Sequence, residues 1–232
     1  MKPFLTAHWA NLLNITYQVP PDLLQPHVPD GVELDVQDGH AFASIVAFDF
    51  LNTRVKGIKV PFHVNFPEIN LRFYVKYKGE RGVVFIKELV PRYCIALVAN
   101  RIYNEPYESC PMESQTLAEG GTLNIEHRFK YGEKNHQIKA TAHSTLSTPV
   151  ADSIIHYFKE HKWGFGKTHS GKTLRYEVQH PIWEVYDLTS WNLEMDFGEI
   201  YGPNWAFLGD AEPYAACLAK GSDVAVYPYG AV

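Results

Sequence analysis

Four polar residues stand at alternate positions in one short stretch. They are Glu68, Asn70, Arg72 and Tyr74, within Phe66 to Tyr77, FPEINLRFYVKY. On an extended chain they put a carboxylate, an amide, a guanidinium and a phenol on one face. A planar guanidinium suits a carboxylate. A partly desolvated Glu68 would have a raised pKa and could move protons. Asn70 and Tyr74 would donate hydrogen bonds to the same ligand. The intervening Ile69, Leu71, Phe73, Val75 and Tyr77 are apolar or aromatic, so the stretch reads as a strand with one face on a hydrophobic layer. Two readings of the polar face follow. It looks into water, where Glu68 and Arg72 are a charge pattern worth well under about 1 kcal/mol each. Or it lines a cavity, where they form a buried, mutually neutralising pair.

The surrounding elements must position that face. Leu12 to Val19, Val32 to Val36 and His40 to Phe50 read as strands, the last nearly all apolar and so buried on both faces. Pro20-Pro21-Asp22 starts a helical turn. After Gly79-Glu80-Arg81-Gly82 comes a strand from Val83 to Leu89. Arg92 to Ile102 then places Cys94, Leu97, Val98 and Ile102 on one helical stripe with Ala96 and Ala99 beside it, which makes Cys94 a core residue. Thr122 to Lys130 and Gln137 to Leu146 alternate around a hairpin loop. Asp152 is the expected cap of a helix over Ser153 to Lys162. Further strands are expected around Leu174 to Val178, Ile182 to Leu188 and Asp223 to Tyr227. No repeat or linker divides residues 1–232, so one domain is expected. It is α+β, mainly β: a bent antiparallel sheet curled into a barrel or sandwich, with two packed helices.

Composition excludes several function classes. The chain has 232 residues, 46% hydrophobic and 20% charged, with a net charge of −5, which is globular and carries no general attraction for nucleic acid or anionic membrane. No apolar run is long enough to span a membrane. The opening MKPFLTAHWANLL does not make a signal peptide, so the expected location is cytoplasmic. Cys94, Cys110 and Cys217 are far apart and form no CxxC pair, which points to neither a disulfide frame nor a zinc site. No metal or cofactor is expected.

Two apparent motifs carry nothing. Gly166 to Thr173, GKTHSGKT, fits the phosphate-loop pattern, but a helix precedes it and an alternating strand follows, the reverse of the required context. His156 and His161 lack metal-binding helical spacing, and His136 and His143 fall on opposite faces of one strand. These histidines read as solvent-facing or hydrogen-bonded.

The run from Phe66 to Tyr107 resembles the YqjF-like family. The resemblance rests on Glu68, Asn70, Arg72, Tyr74 and Val75; on Gly82, Val83 and Phe85; on the helix carrying Arg101; and on Pro106-Tyr107. Looser matches are Trp9, Pro29-Asp30-Gly31, Leu34-Asp35, His180 to Trp183 and Gly221 to Val224. That family is similar to the acetoacetate decarboxylase-like superfamily, which implies a closed, bent antiparallel structure with an internal cavity. The superfamily's decarboxylases use a Schiff-base lysine beside a second cation. The matching stretch is Lys87 to Cys94, and no lysine stands between Glu88 and Phe129, so that activity is not carried over unless Lys87 substitutes. Alternation alone does not guarantee that Lys87 points inward. The resemblance matches Glu68 to the site carboxylate and makes Arg72 and Arg92 candidate anion anchors.

The expectation is a cavity for a small anionic or carbonyl-bearing metabolite. Arg72, with Arg92, would hold the anion, Asn70 and Tyr74 would donate hydrogen bonds, and Glu68 would act as base in a non-covalent proton transfer. A binding module without turnover is the first alternative. A structural or partner-binding protein with a filled core is the second. A homo-oligomer stays open.

Overall fold

The structure is a computed structural model and describes residues 2–102, 105–168, 170–228 and 230–231. Its strands are β1 (Leu5–Val19), β2 (Glu33–Leu34), β3 (Ala41–Val55), β4 (Phe66–Tyr77), β5 (Glu80–Val90), β6 (Tyr107–Ser109), β7 (Met112–Glu119), β8 (Thr122–Tyr131), β9 (Lys134–Ser147), β10 (Trp163–Lys167), β11 (Thr173–Gln179), β12 (Val185–Glu194), β13 (Ala215–Val226) and β14 (Gly230–Ala231). Its α-helices are α1 (Pro21–Leu24), α2 (Tyr93–Ile102), α3 (Ile154–Lys159) and α4 (Phe197–Tyr201).

One bent sheet contains these strands, and part of it returns to its start. The path β11-β10-β5-β4-β3-β1-β13 comes back to β11 through the pairs Val178↔Val226 and Gln179↔Ala225. The path also continues from β13 through β12, β9, β8 and β7. This second run folds over the outer face of the seven-strand ring.

The two faces of β4 therefore meet different surroundings. Ile69, Leu71, Phe73 and Val75 enter the main apolar core, which includes Ile15, Ile45, Leu123, Ile125, Ile138 and Ala140 from both layers. The even positions face the inside of the ring. β3 is buried from Ala41 to Phe48, as its composition implies, because core lies on one side of it and the ring interior on the other.

The strand boundaries and the helices need some correction. β1 begins at Leu5 rather than Leu12, and β13 starts at Ala215, well before Asp223. β7 and β10 have no counterpart in the pattern reading. α3 is capped by Ser153, whose side chain accepts from the His156 amide, while Asp152 sits in the turn with φ 65°. Cys94 is exposed, so the α2 stripe does not bury it. Val98, Ala99, Arg101 and Ile102 lie outside the described side chains. The phosphate-loop lookalike is the tip of the β10–β11 hairpin, with Lys167 opposite Thr173. Among the described residues no helix is long and apolar enough to cross a membrane.

β10 runs parallel to β5, with Trp163 opposite Gly82, and this seam needs small residues. A Cβ at Gly82 would lie 2.5 Å from the Trp163 carbonyl oxygen and 2.6 Å from the Phe165 ring. Gly82→Ala is expected to destabilise the fold by about 1–3 kcal/mol through overpacking. Urea unfolding measures this; an unchanged midpoint would mean that the seam is looser than described.

Candidate functional site

Inside the ring lies a cavity of about 380 Å³. The β3–β4 register lays out its wall as a sequence of pairs: Phe50 opposite Phe66, Phe48 opposite Glu68, Val46 opposite Asn70, and Ser44 opposite Arg72. Glu68, Asn70 and Arg72 all line the cavity, together with Glu88, Glu105, Tyr107, Lys159, His161, Tyr176 and His180.

The carboxyl groups gather at one end. Glu68 accepts from Asn70 Nδ2 at 3.0 Å and from the Tyr107 hydroxyl at 3.0 Å. Burial pushes the Glu68 pKa up to about 7 against those hydrogen bonds and the nearby Arg72 charge. Glu88 is pushed well above the usual carboxylate range by burial and then by the charges of Glu68 and Glu105. Burial raises Glu105 to about 8, opposed by a hydrogen bond from Tyr176. Three carboxyl groups in one buried space cannot all be ionised together near neutrality, so protons are retained among them. Tyr107 is itself fixed from outside the cavity. Asn100 of α2 donates to its carbonyl and accepts from its amide, both at 3.0 Å.

The cationic end is built differently. Arg72 Nη2 donates to the Phe158 carbonyl at 3.2 Å, the Tyr74 hydroxyl donates to the same oxygen at 3.3 Å, and Asn14 Nδ2 donates to it at 3.2 Å. Three donors from two strands, β1 and β4, thus converge on one carbonyl of α3. Lys159 is buried beside it and pairs with Glu160. Among the described residues Arg72 has no carboxylate within ion-pair distance, and its Nε is buried without a partner. Neither ring nitrogen of the buried His161 has a hydrogen-bond partner, and desolvation, followed by the Arg72 charge, holds that ring well below the ordinary histidine pKa. A surface groove lined by His8, Arg54, Lys162 and Glu177 shares His161, Val178 and His180 with the cavity lining.

Residues 6–223 match the DUF2071 family, described as an uncharacterized conserved protein. The chain belongs to that family. This DUF2071 chain is 25% identical over 224 residues to the uncharacterized protein YqjF of Bacillus subtilis (strain 168), covering 95% of this chain and 89% of that one. Among solved structures it is similar to the acetoacetate decarboxylase of Legionella pneumophila, with a TM-score of 0.64, 16% identity, and coverage of 99% of this chain and 86% of that one. It is similar to an acetoacetate decarboxylase-like enzyme from Sphingomonas wittichii RW1, with a TM-score of 0.64, 14% identity, and coverage of 100% and 94%. The enduracididine biosynthesis enzyme MppR complexed with pyruvate gives a TM-score of 0.62 at 11% identity, with coverage of 97% and 88%. At these identities the solved structures establish the fold: mainly β and acetoacetate decarboxylase-like, as the motif resemblance implies.

The DUF2071 chain redistributes the candidate residues. Glu68, Asn70 and Arg72 come together in the cavity, but Glu68 and Arg72 do not form the mutually neutralising pair, because the guanidinium turns to Phe158 and the carboxyl to Asn70 and Tyr107. Tyr74 does not line the cavity; its hydroxyl bonds Ser44 and Phe158 and serves to hold Arg72's anchor in place. Lys87 points away. Its ammonium donates to the Ile200 carbonyl at 2.6 Å and to the Tyr131 hydroxyl at 2.8 Å, and it pairs with Glu108 at 2.9 Å. The cause is a β-bulge: Leu71 pairs with Lys87 but Arg72 with Phe85, which reverses the phase of β5 and sends Glu88 inward instead. Arg92 is exposed beside Pro91 and Tyr93, outside the cavity. His136 is buried and accepts from the Asp196 amide at 3.3 Å, in line with the hydrogen-bonded reading, whereas His161 is buried with neither ring nitrogen bonded; His127, not singled out in the sequence, is likewise buried with both nitrogens unbonded.

The protonated carboxyl groups set a pH dependence of stability. The folded chain keeps a proton on Glu68 between its ordinary 4.5 and about 7, while the unfolded chain has released it. Stability therefore falls as pH rises through this window, by about 1.4 kcal/mol per pH unit for each such group. Glu88→Gln removes one buried acid and one repelling charge. It is expected to raise the melting temperature at about pH 8 and to flatten the decline from about pH 5. Parallel curves for the variant and wild type would mean that Glu88 is not held protonated.

Proposed function

We propose that the chain binds a small organic acid or carbonyl compound in the ring cavity and moves a proton on it without a covalent intermediate. Arg72 holds the anion, and Glu68 takes or returns the proton next to the carbonyl. The observation that carries this reading is Arg72. It is a partly buried guanidinium, lacking a carboxylate partner among the described residues, at one end of a cavity whose other end holds protonatable carboxyl groups. A desolvated cation without a counter-charge is costly, and a ligand carboxylate supplies one. Glu68 is suited to proton transfer because a pKa near 7 leaves both of its forms populated near neutral pH. Asn70 orients Glu68 through Nδ2, and its own Oδ1 is buried and unpartnered.

The superfamily's lysine chemistry is not carried over, since Lys87 is engaged on the outer face and Lys159, which lines the cavity, is paired with Glu160. A filled structural core sits poorly with about 380 Å³ of lined space. A binding module without turnover differs from an enzyme only in what Glu68 does. The location consistent with this reading is the cytoplasm, and the partner is a small molecule.

A thermal-shift screen of small carboxylic and 2-oxo acids on wild type and Arg72→Ala tests the anchor. Wild type is expected to gain several degrees at saturating acid, and Arg72→Ala to gain nothing. Hits that persist in Arg72→Ala would refute the assignment. With a hit in hand, solvent exchange at the carbon next to the carbonyl, followed by NMR, tests the chemistry. Exchange is expected to rise with pH through about 7 as Glu68 ionises. Glu68→Gln is expected to lose it at least about a hundredfold while still binding. Binding without exchange in wild type would leave the module reading.

A further inference from the structure

The order of side chains along the cavity says more about the ligand than its charge. Between Arg72 and Phe66 the wall passes from cation to amide, then to carboxyl and then to aromatic. Arg72 and Glu68 are four residues apart on an extended strand, roughly 13 Å at about 3.3 Å per residue, and Phe66 lies roughly 7 Å further on. Past Glu68 the lining includes Trp9, Phe48, Phe50, Phe66 and Trp183. Trp9 packs edge-on to Phe48 at 5.2 Å and to Phe50 at 5.5 Å, with Trp183 at 6.1 Å. Phe50 and Phe66 stack at 4.7 Å. These rings hold one another in place and leave the space beside them apolar.

Polar groups interrupt this lining, among them Thr53, whose Oγ1 is buried without a partner, and Trp9. Trp9 Nε1 is buried without a hydrogen-bond partner. An indole N–H in such a position normally finds an acceptor. The carboxyl groups and this aromatic lining share the end of the cavity away from Arg72.

We infer that the ligand is an amphipathic acid with a carboxylate at Arg72, a carbonyl or hydroxyl over Asn70 and Glu68, and a ring-sized apolar body against Trp9, Phe48 and Phe50. A three-carbon acid held at Arg72 would leave the aromatic end empty, and dry apolar space gives up contact energy that a ring would recover. This inference rests on the reading of Arg72 as anion anchor.

The test is calorimetric titration of wild type, Arg72→Ala and Val46→Phe with pyruvate and with phenylpyruvate. Val46 lines the cavity between the two ends, so a larger side chain there blocks the route to the aromatic end. Wild type is expected to bind phenylpyruvate at least about tenfold more tightly than pyruvate, the return on burying a ring. Val46→Phe is expected to lose that preference while keeping pyruvate binding, and Arg72→Ala to lose both acids. Equal or tighter binding of pyruvate by wild type, abolished in Arg72→Ala, overturns the amphipathic ligand and leaves the anion anchor standing. Phenylpyruvate binding that survives Arg72→Ala overturns the proposed orientation. Binding of neither acid to wild type overturns the inference and the anchor together. The wild-type comparison stands whether or not Val46→Phe folds.

Discussion

Two residue pairs, Val178 with Val226 and Gln179 with Ala225, return the sheet to its own beginning, and the character of β4 follows from that closure. Without it the even face of β4 would meet water, and Glu68, Asn70 and Arg72 would be an ordinary solvated row. With it, the same row is enclosed, burial becomes the largest influence on every carboxyl in the ring, and each polar atom has to find a partner within the protein or in a ligand. The second run of strands, β12-β9-β8-β7, supplies the outer apolar layer, so the ring is clamped from outside while its interior stays partly open.

Within the ring the polar groups are sorted. Hydrogen bonds from Asn14, Arg72 and Tyr74 converge on the Phe158 carbonyl and hold α3 against β4. Asn100 clamps Tyr107, and Tyr107 fixes Glu68. The supporting residues approach from outside or from the ends, so cations and acids are held apart rather than collapsing into a salt bridge. A Glu68–Arg72 pair would satisfy both charges and leave nothing for a ligand to do. Their separation keeps one cation without a carboxylate and one proton loosely owned.

The sequence made much of this legible, because period-two alternation survives in β4 from end to end. The limits of β4 match the pattern reading, and the polar row was visible in residue type, although residue type left open whether it faces water or a cavity. Placement failed where the period breaks. The bulge opposite Leu71 and Arg72 exchanges Lys87 for Glu88, and nothing in ERGVVFIKELV marks the extra residue. Glu105 and His161 come from connecting segments, where no periodicity exists to say which way a side chain faces, and Lys159 ends the short helix α3. β10 contains two glycines in five residues and pairs in parallel with a strand some eighty residues earlier, a contact that no local rule anticipates. Cys94 sat on a plausible apolar stripe but is exposed.

The pairing of β1 with β13 also governs how the molecule comes to exist. Strands near opposite ends of the described chain are neighbours, and β5 must wait for β10. Both contacts join residues that are far apart along the backbone, so the closing of long loops comes before the reward of pairing, and folding of this topology is slow. During synthesis β1 and β3 can pair early, while the free edge of β1 and the unenclosed acids of β4 and β5 remain exposed to solvent until the last long strand arrives. Because the closed ring raises the pKa of Glu68, Glu88 and Glu105, the folded chain holds more protons near neutral pH than the unfolded one, which couples closure of the ring to proton uptake.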